Sequence, residues 1–295
     1  MQGKSEREKG IIAVIVLSAV IASMGLFARV LGTKFTPLQQ VYLRIGAAFI
    51  LSIVLFYKNL DFGKLKRVSM NEWALLVVRS AATYLLGVTL FSISVGMAKI
   101  STISFIGALP IVALLGVLIL KEKLTAQKLI YLIVGLAGVL LISVQDYSNI
   151  FSWGTGEILA LISSIFLSLG FVLRRKHGNL LNNYEMSTLM FFISTTLLIA
   201  TSFMLHEELP SITTWSTLII TTVIGAGIAN VAYLFLSNYG FQKIEAVLAN
   251  NLLIISPLFA ITLGLLFYKE LPTLKELMGG ALIIFSAYGM NKILD

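Results

Sequence analysis

Two arginines stand inside otherwise apolar stretches of this 295-residue chain, Arg44 in Leu43-Arg44-Ile45-Gly46-Ala47 and Arg79 in Val78-Arg79-Ser80-Ala81. A guanidinium presents a planar fork of donors that fits a carboxylate or a phosphate in two parallel bonds. A second polar group is built on asparagine. Asn230, Tyr233 and Ser237 are spaced i, i+3, i+7, which puts them on one face of a helix, and Asn250 and Asn251 precede Pro257 by about two turns. An amide brings two donors and an acceptor, all of which need partners away from water. Thr83 and Tyr84 follow Arg79 and Ser80 by one turn. Ser164, Ser168 and Phe171 share a face, as do Ser18, Ala22 and Gly25. Hydroxyls and small residues at that spacing commonly serve helix packing. The candidates for holding a small solute are therefore Arg44, Arg79, Tyr84, Asn230, Tyr233, Asn250 and Asn251, and the arginines favour a solute with an anionic group.

Other chemistries lack their residues. The chain has no cysteine and two histidines, His177 and His206, both in polar connecting segments. Disulfides, thiolate metal sites and a His-based nucleophile–base pair have nothing to be built from. There is no glycine-rich phosphate loop, so ATP drive is absent. No enzyme, metal or cofactor is expected. All fourteen carboxylates fall at termini, in loops or at helix ends. Glu72, Glu157, Glu185 and Glu276 sit in first turns, where the helix dipole favours a negative charge. No carboxylate is expected at mid-depth. That argues against a proton-driven exporter of hydrophobic cations, which would use one as counter-ion and proton carrier.

The elements that must carry these residues follow from composition. The chain is 58% hydrophobic and 12% charged, against about 25% charged for soluble domains. Apolar stretches of roughly 20 residues span a bilayer. They fall at 10–30, 37–57, 72–94, 99–120, 126–144, 153–173, 184–205, 214–238, 243–268 and 273–291. Pro37 opens the second, Ser69-x-x-Glu72 and Thr273-x-x-Glu276 are capping boxes for the third and tenth, and Asn182-x-x-Glu185 is an Asx variant for the seventh. Trp73, Trp153 and Trp215 stand at helix starts, where an amphipathic ring suits the interface. The run Ile11–Ala28 is long enough to span and its small-residue cleavage pattern is poor, so it reads as a helix rather than as a signal peptide.

Lys and Arg then set orientation. With the N-terminus in the cytoplasm, fifteen of the 22 basic residues lie on the cytoplasmic side and five on the far side, leaving Arg44 and Arg79 within helices. The positive-inside rule thus gives an inner-membrane, multi-pass protein with both termini cytoplasmic. The net charge of +8 resides in short loops, so no nucleic-acid surface is expected. At 1.5 Å per residue both arginines stand about 9 Å deep, a depth from which they could also snorkel to the headgroups.

The chain also repeats. Pro110 is followed by Glu122 in Leu120-Lys121-Glu122-Lys123-Leu124-Thr125, and Pro257 by Glu270 in Tyr268-Lys269-Glu270-Leu271-Pro272-Thr273. Gly10 leads to Gly25 as Gly156 leads to Gly170. The expected fold is all-α, with repeats at 1–148 and 149–295. Five helices per repeat is an odd number, so the two are inverted, the arrangement of alternating-access carriers with a site near midplane. Pro110 and Pro257 each free a carbonyl and bend a helix, as a hinge or a wider cavity would need. Glu122 and Glu270 are read as closing the turns after the proline helices.

The paired proline helices ending in Lys-Glu, Arg44 and Arg79 in their contexts, and Gly156-Glu157-Ile158-Leu159-Ala160-Leu161 together resemble the EamA-type family of the drug/metabolite transporter superfamily, over the whole chain. That resemblance implies transport as a class, a central cavity, and peripheral helices five and ten available for pairing into a homodimer. The expected function is a secondary carrier exporting small polar metabolites, amino acids or related zwitterionic and anionic compounds. An uncoupled facilitator, a nucleotide-type metabolite importer and a non-transporting scaffold or lipid-handling protein are the alternatives.

Overall fold

A backbone surrounded by lipid must bond to itself, and helices do so within one segment. The structure, a computed structural model, describes residues 2–98, 103, 106–143, 154–211, 214–259, 261–262 and 273–293. Its described residues are helical, with no strand among them. The helices are α1 (Gln2–Gly32), α2 (Pro37–Phe56), α3 (Met70–Met97), α4 (Ile111–Leu120), α5 (Ala126–Ser143), α6 (Thr155–Leu173), α7 (Asn183–Met204), α8 (Thr217–Lys243), α9 (Ala246–Leu253) and α10 (Leu274–Ile293). Among the described residues, α1, α2, α3, α6, α7 and α8 are long and apolar enough to cross a membrane, and α4, α5, α9 and α10 are shorter apolar helices. Glu270, Lys99 and Trp153 lie outside the described residues.

Local sequence sets the ends. Thr36 accepts from Gln39 N while Gln39 Oε1 accepts from Thr36 N, a capping box before the Pro37 start. Asn182 and Glu185 form the expected box at α7. The expected box at α3 is only half made. Ser69 accepts from Glu72 N, but the Glu72 carboxylate turns away to His177 and Gly178. The first helix begins eight residues earlier than its apolar run, at Gln2. Its added turns are anchored: Glu6 pairs with Lys9 and Lys243, and Arg7 donates to Asn291.

The fourth and ninth segments are each expected to bend at a proline, and each is interrupted near it, the fourth at Pro110 and the ninth two residues before Pro257. Pro110 has ψ 43°, outside the helical region, and becomes the cap of α4. Ile254 and Ile255 form a turn between α9 and a short helical continuation through Pro257. A proline has no N–H to give and its ring crowds the preceding turn, so the ladder opens there. Mid-way along α3, Ala81–Val88 winds as a π-helix, and the Thr89 hydroxyl donates to Tyr84 O.

The helices pack in pairs: α1 on α8, α3 on α6, α2 on α7, α4 on α9 and α5 on α10. Exchanging each helix with the one five places along maps this set onto itself, as a two-repeat layout requires. Small residues allow the approach. A Cβ on Gly10 would lie 2.7 Å from Lys243 Cβ, one on Gly240 2.5 Å from Val14, and one on Gly138 2.6 Å from Gly279 O. The main apolar core runs through α1, α2, α7, α8 and α9.

Candidate functional site

A cavity of 410 Å³ opens between the halves. That is at the small end of the roughly 300–1,000 Å³ typical of small-molecule sites. Its wall takes Ile21, Ala22, Met24, Gly25 and Leu26 from α1, Arg44 from α2, and Val88, Phe91 and Val95 from α3. Gly107, Ala108 and Val112 flank the Pro110 break, and Ser164, Leu167, Ser168 and Phe171 come from α6. Asn230 and Tyr233 of α8, Asn250 and Leu253 of α9, and Ser256 and Pro257 complete it. Both proline breaks therefore meet the same space.

Two ends of the molecule can be distinguished. The near end carries the N-terminus and the C-terminal ends of α4, α6, α8 and α10; the far end carries Gly32, Met97 and Thr155. Toward the near end the cavity is floored by aromatics. Phe171 stacks on Phe241 at 4.7 Å and 7°, and tilts against Tyr233 at 6.0 Å. Ion pairs gather beyond that floor, Lys64–Glu185, Lys128–Glu245, Lys243–Glu6 and Arg175–Glu122, and His177 bonds to the Glu72 carboxylate beside them. Toward the far end the lining continues through Leu26, Val95, Ile103 and Ala160.

Of the seven residues that sequence singled out, four line the cavity: Arg44, Asn230, Tyr233 and Asn250. Arg44 is buried, with Nε donating to Gln40 O at 3.1 Å and Nη2 to Ser92 Oγ at 3.2 Å. Neither partner is charged, and among the described residues no carboxylate lines the cavity. Asn230 gives Nδ2 to Ala226 O at 2.8 Å, which leaves its carbonyl oxygen for another donor. Asn250 Nδ2 is buried without a partner. The cavity thus holds a buried guanidinium and an unused amide donor in a mostly apolar wall, an arrangement suited to acceptor groups on a solute.

The other three lie elsewhere. Arg79 is enclosed between α3, α6, α7 and α8, donating to Gly170 O at 2.7 Å, to Asn238 Oδ1, and to Met186 Sδ at 3.3 Å. Asn238 in turn donates to Ser187 Oγ. Asn251 faces α10, donating to Ser286 O at 2.9 Å and accepting from Ser286 Oγ at 2.7 Å. Tyr84 sits within the π-helix, fully buried, with its hydroxyl unpartnered and its ring 6.1 Å from Phe191. The two arginines, Arg44 toward the far end and Arg79 toward the near end, thus have different settings, because α2 borders the opening while the near half of α3 is closed in by α6, α7 and α8.

Sequence reasoning left Ser164, Ser168 and Phe171 as packing residues, yet they form the α6 wall. It missed Phe91, Val95 and Ser256 altogether. Val88, Phe91 and Val95 recur at i, i+3, i+7, but apolar residues at that spacing occur on any membrane helix.

Outside the spans, the His177 side chain is fully enclosed, with Nδ1 2.6 Å from Glu72 Oε1. Burial first, then the Arg79 charge, pushes the imidazole down to about 4 against the upward pull of Glu72. Glu122 accepts from Arg175, from Ala246 N at 3.0 Å and from Val247 N at 3.2 Å. Its own turn is closed by backbone instead. Lys121 is left-handed at φ 57°, and Glu122 N donates to Gly116 O.

Comparison with known proteins gives a family and a fold. The model of the EamA-like transporter family matches twice, over residues 8–144 and 154–292. No curated protein matches. A solved crystal structure superposes with a TM-score of 0.75 over 98% of this chain and 98% of its own, at 15% identity, which establishes likeness of fold.

Proposed function

Because the chain belongs to the EamA-like transporter family, and so is a multi-pass membrane transporter of the drug/metabolite superfamily, we propose that it is a secondary carrier of small metabolites bearing a carboxylate or phosphate. Amino acids and related zwitterionic or anionic compounds head that class, and export across the inner membrane is the direction to test. One observation carries the reading. Arg44 is buried on the cavity wall and bonded there only to a carbonyl and a hydroxyl. A guanidinium out of water without a counter-charge is costly. An anionic group entering from the far end lowers that cost and gains a charge-assisted bond. Asn250 and Asn230 supply donor and acceptor for the rest of the solute. Alternation would carry the solute as the cavity closes toward one end and opens toward the other.

The test is a thermal-shift screen of the purified protein against carboxylates, phosphates, zwitterions and hydrophobic cations, followed by flux of the hits in liposomes. Anionic and zwitterionic compounds should stabilise the protein. Arg44→Gln should cut flux of a hit by about tenfold or more, the scale of one charge-assisted hydrogen bond, while still inserting and folding. Stabilisation by hydrophobic cations alone would overturn the reading. Flux indifferent to imposed pH and sodium gradients would make the protein a facilitator.

A further inference from the structure

The sequence places a Lys-Glu pair after each proline helix, and Glu122 is the one described. Its carboxylate does something its own turn does not need. Its side chain is 8% exposed, and it binds the first two amides of α9, Ala246 N and Val247 N, with Arg175 on the same oxygen as Ala246. The first amides of a helix have no partner within it and draw a negative charge. In α9 the local cap residue, Glu245, makes no capping bond, because its carboxylate is held 2.6 Å from Lys128 Nζ. The cap therefore comes from the other half of the molecule. The contact is close: a Cβ on Gly116 would meet Ala246 Cβ at 2.8 Å and Glu122 Oε2 at 3.1 Å.

The capped segment is short. It is eight residues long, Ala246–Leu253, and ends in the turn at Ile254–Ile255 before Pro257. Asn250 stands one turn above the capped amides on the cavity wall, with its amide nitrogen buried and unpartnered. At its other end the segment is tied to α1, where Ser18 Oγ donates to Leu252 O at 3.1 Å. One short segment thus carries a grip from the first half at its base and a cavity-lining asparagine in its middle.

We infer that Glu122 is a positioning residue that latches the near end of the cavity shut by gripping the N-terminus of α9, and that this grip sets where Asn250 meets the solute. The inference rests on the carrier reading above. Opening the near end requires Glu122 to release both amides and Arg175. A solute that draws Asn250 toward Arg44 moves the same segment, so occupancy and latch are coupled.

The chain has no cysteine, which makes site-directed labelling clean. Spin labels at Lys123→Cys and Lys176→Cys, both exposed, span the near end from the first half to the second. Electron–electron distance measurement on the full chain in nanodiscs then reads the latch with no substrate present, so its outcome is independent of the substrate reading. In the Glu122→Ala background the ratio of long to short distances should rise about tenfold, the change expected for losing charge-assisted bonds. Arg175→Gln, which keeps the cap and loses the ion pair, should give a smaller rise. Glu122→Asp, which keeps the charge with a shorter reach, should restore part of the closed population. In liposomes Glu122→Ala should change the half-saturation of a transported anion more than Arg175→Gln does. Should Glu122→Ala not fold, Glu122→Gln and Arg175→Gln decide the matter on the same distances. A folded variant lacking the carboxylate that keeps the parent distance distribution overturns the inference.

Discussion

A guanidinium taken out of water must be met by acceptors, and Arg44 and Arg79 meet theirs in opposite ways. Arg79 joins three other helices through Gly170 O, Asn238 and Met186, so it behaves as a clamp. Arg79→Ala should lower the melting temperature in detergent, with a cost of about 1–3 kcal/mol for each acceptor left unpaired. Arg79→Lys should recover little, because a single ammonium cannot reproduce the fork. His177 gives a prediction in pH. An unfolded histidine takes its proton near its ordinary value of 6.5, whereas burial delays it here to about 4. Between those values the unfolded chain binds the extra proton, so stability is full above pH 6.5 and falls as pH drops toward 4. Melting curves should show that decline, and His177→Gln should flatten it.

At the scale of elements, the glycines sort into two kinds. On Gly138 of α5 an added Cβ would strike Gly279 O at 2.6 Å and Ile283 at 2.9 Å, so Gly138→Val should destabilise the α5·α10 pair measurably in detergent. Around Gly25 of α1 nothing lies within 4 Å, and the residue lines the cavity. Gly25→Val should leave melting nearly unchanged while narrowing the cavity, and liposome flux should lose larger solutes before smaller ones. The breaks at Pro110 and Ile254–Ile255 were half legible. Proline announces an interrupted ladder from composition alone. Whether the chain bends and continues, or stops and restarts as α4 does at Pro110, depends on what neighbouring helices offer the freed groups.

At the scale of the whole molecule, the layout sets two ends with different chemistry, a near end rich in ion pairs over an aromatic floor and a far end toward which the cavity runs. From the excess of Lys and Arg we propose, by the positive-inside rule, that the near end faces the cytoplasm. A single cysteine at Asn59, between α2 and α3, should then react with an impermeant maleimide only in inside-out vesicles. One at Gly154, before α6, should react only in right-side-out vesicles. Labelling of Asn59→Cys from outside intact cells would reverse the assignment and with it the direction in which the latch opens.

By itself the sequence determined that the chain lives in lipid, which capping boxes open its second and seventh helices, that its halves repeat, and which polar residues stand in apolar surroundings. Those are one-dimensional facts. Hydropathy, capping boxes such as Asn182-x-x-Glu185 and the doubled Pro-to-Lys-Glu spacing depend only on near neighbours along the chain. Tertiary structure decided how those residues were used. Arg44 and Arg79 are alike in type and in apolar surroundings along the chain, and the packing of α6, α7 and α8 around α3 turned one into a clamp and left the other on a cavity wall. Adjacent asparagines diverged for the same geometric reason, since neighbours on a helix point about 100° apart. Asn250 reached the cavity and Asn251 reached Ser286. Glu122 lay in a turn that its own backbone closes, and its carboxylate found α9 because Gly116 lets the two halves approach. Contacts between residues as distant along the chain as Arg44 and Ser92 or Arg79 and Asn238 leave no spacing to read, which is why the arginines could be found in the sequence and their roles could not.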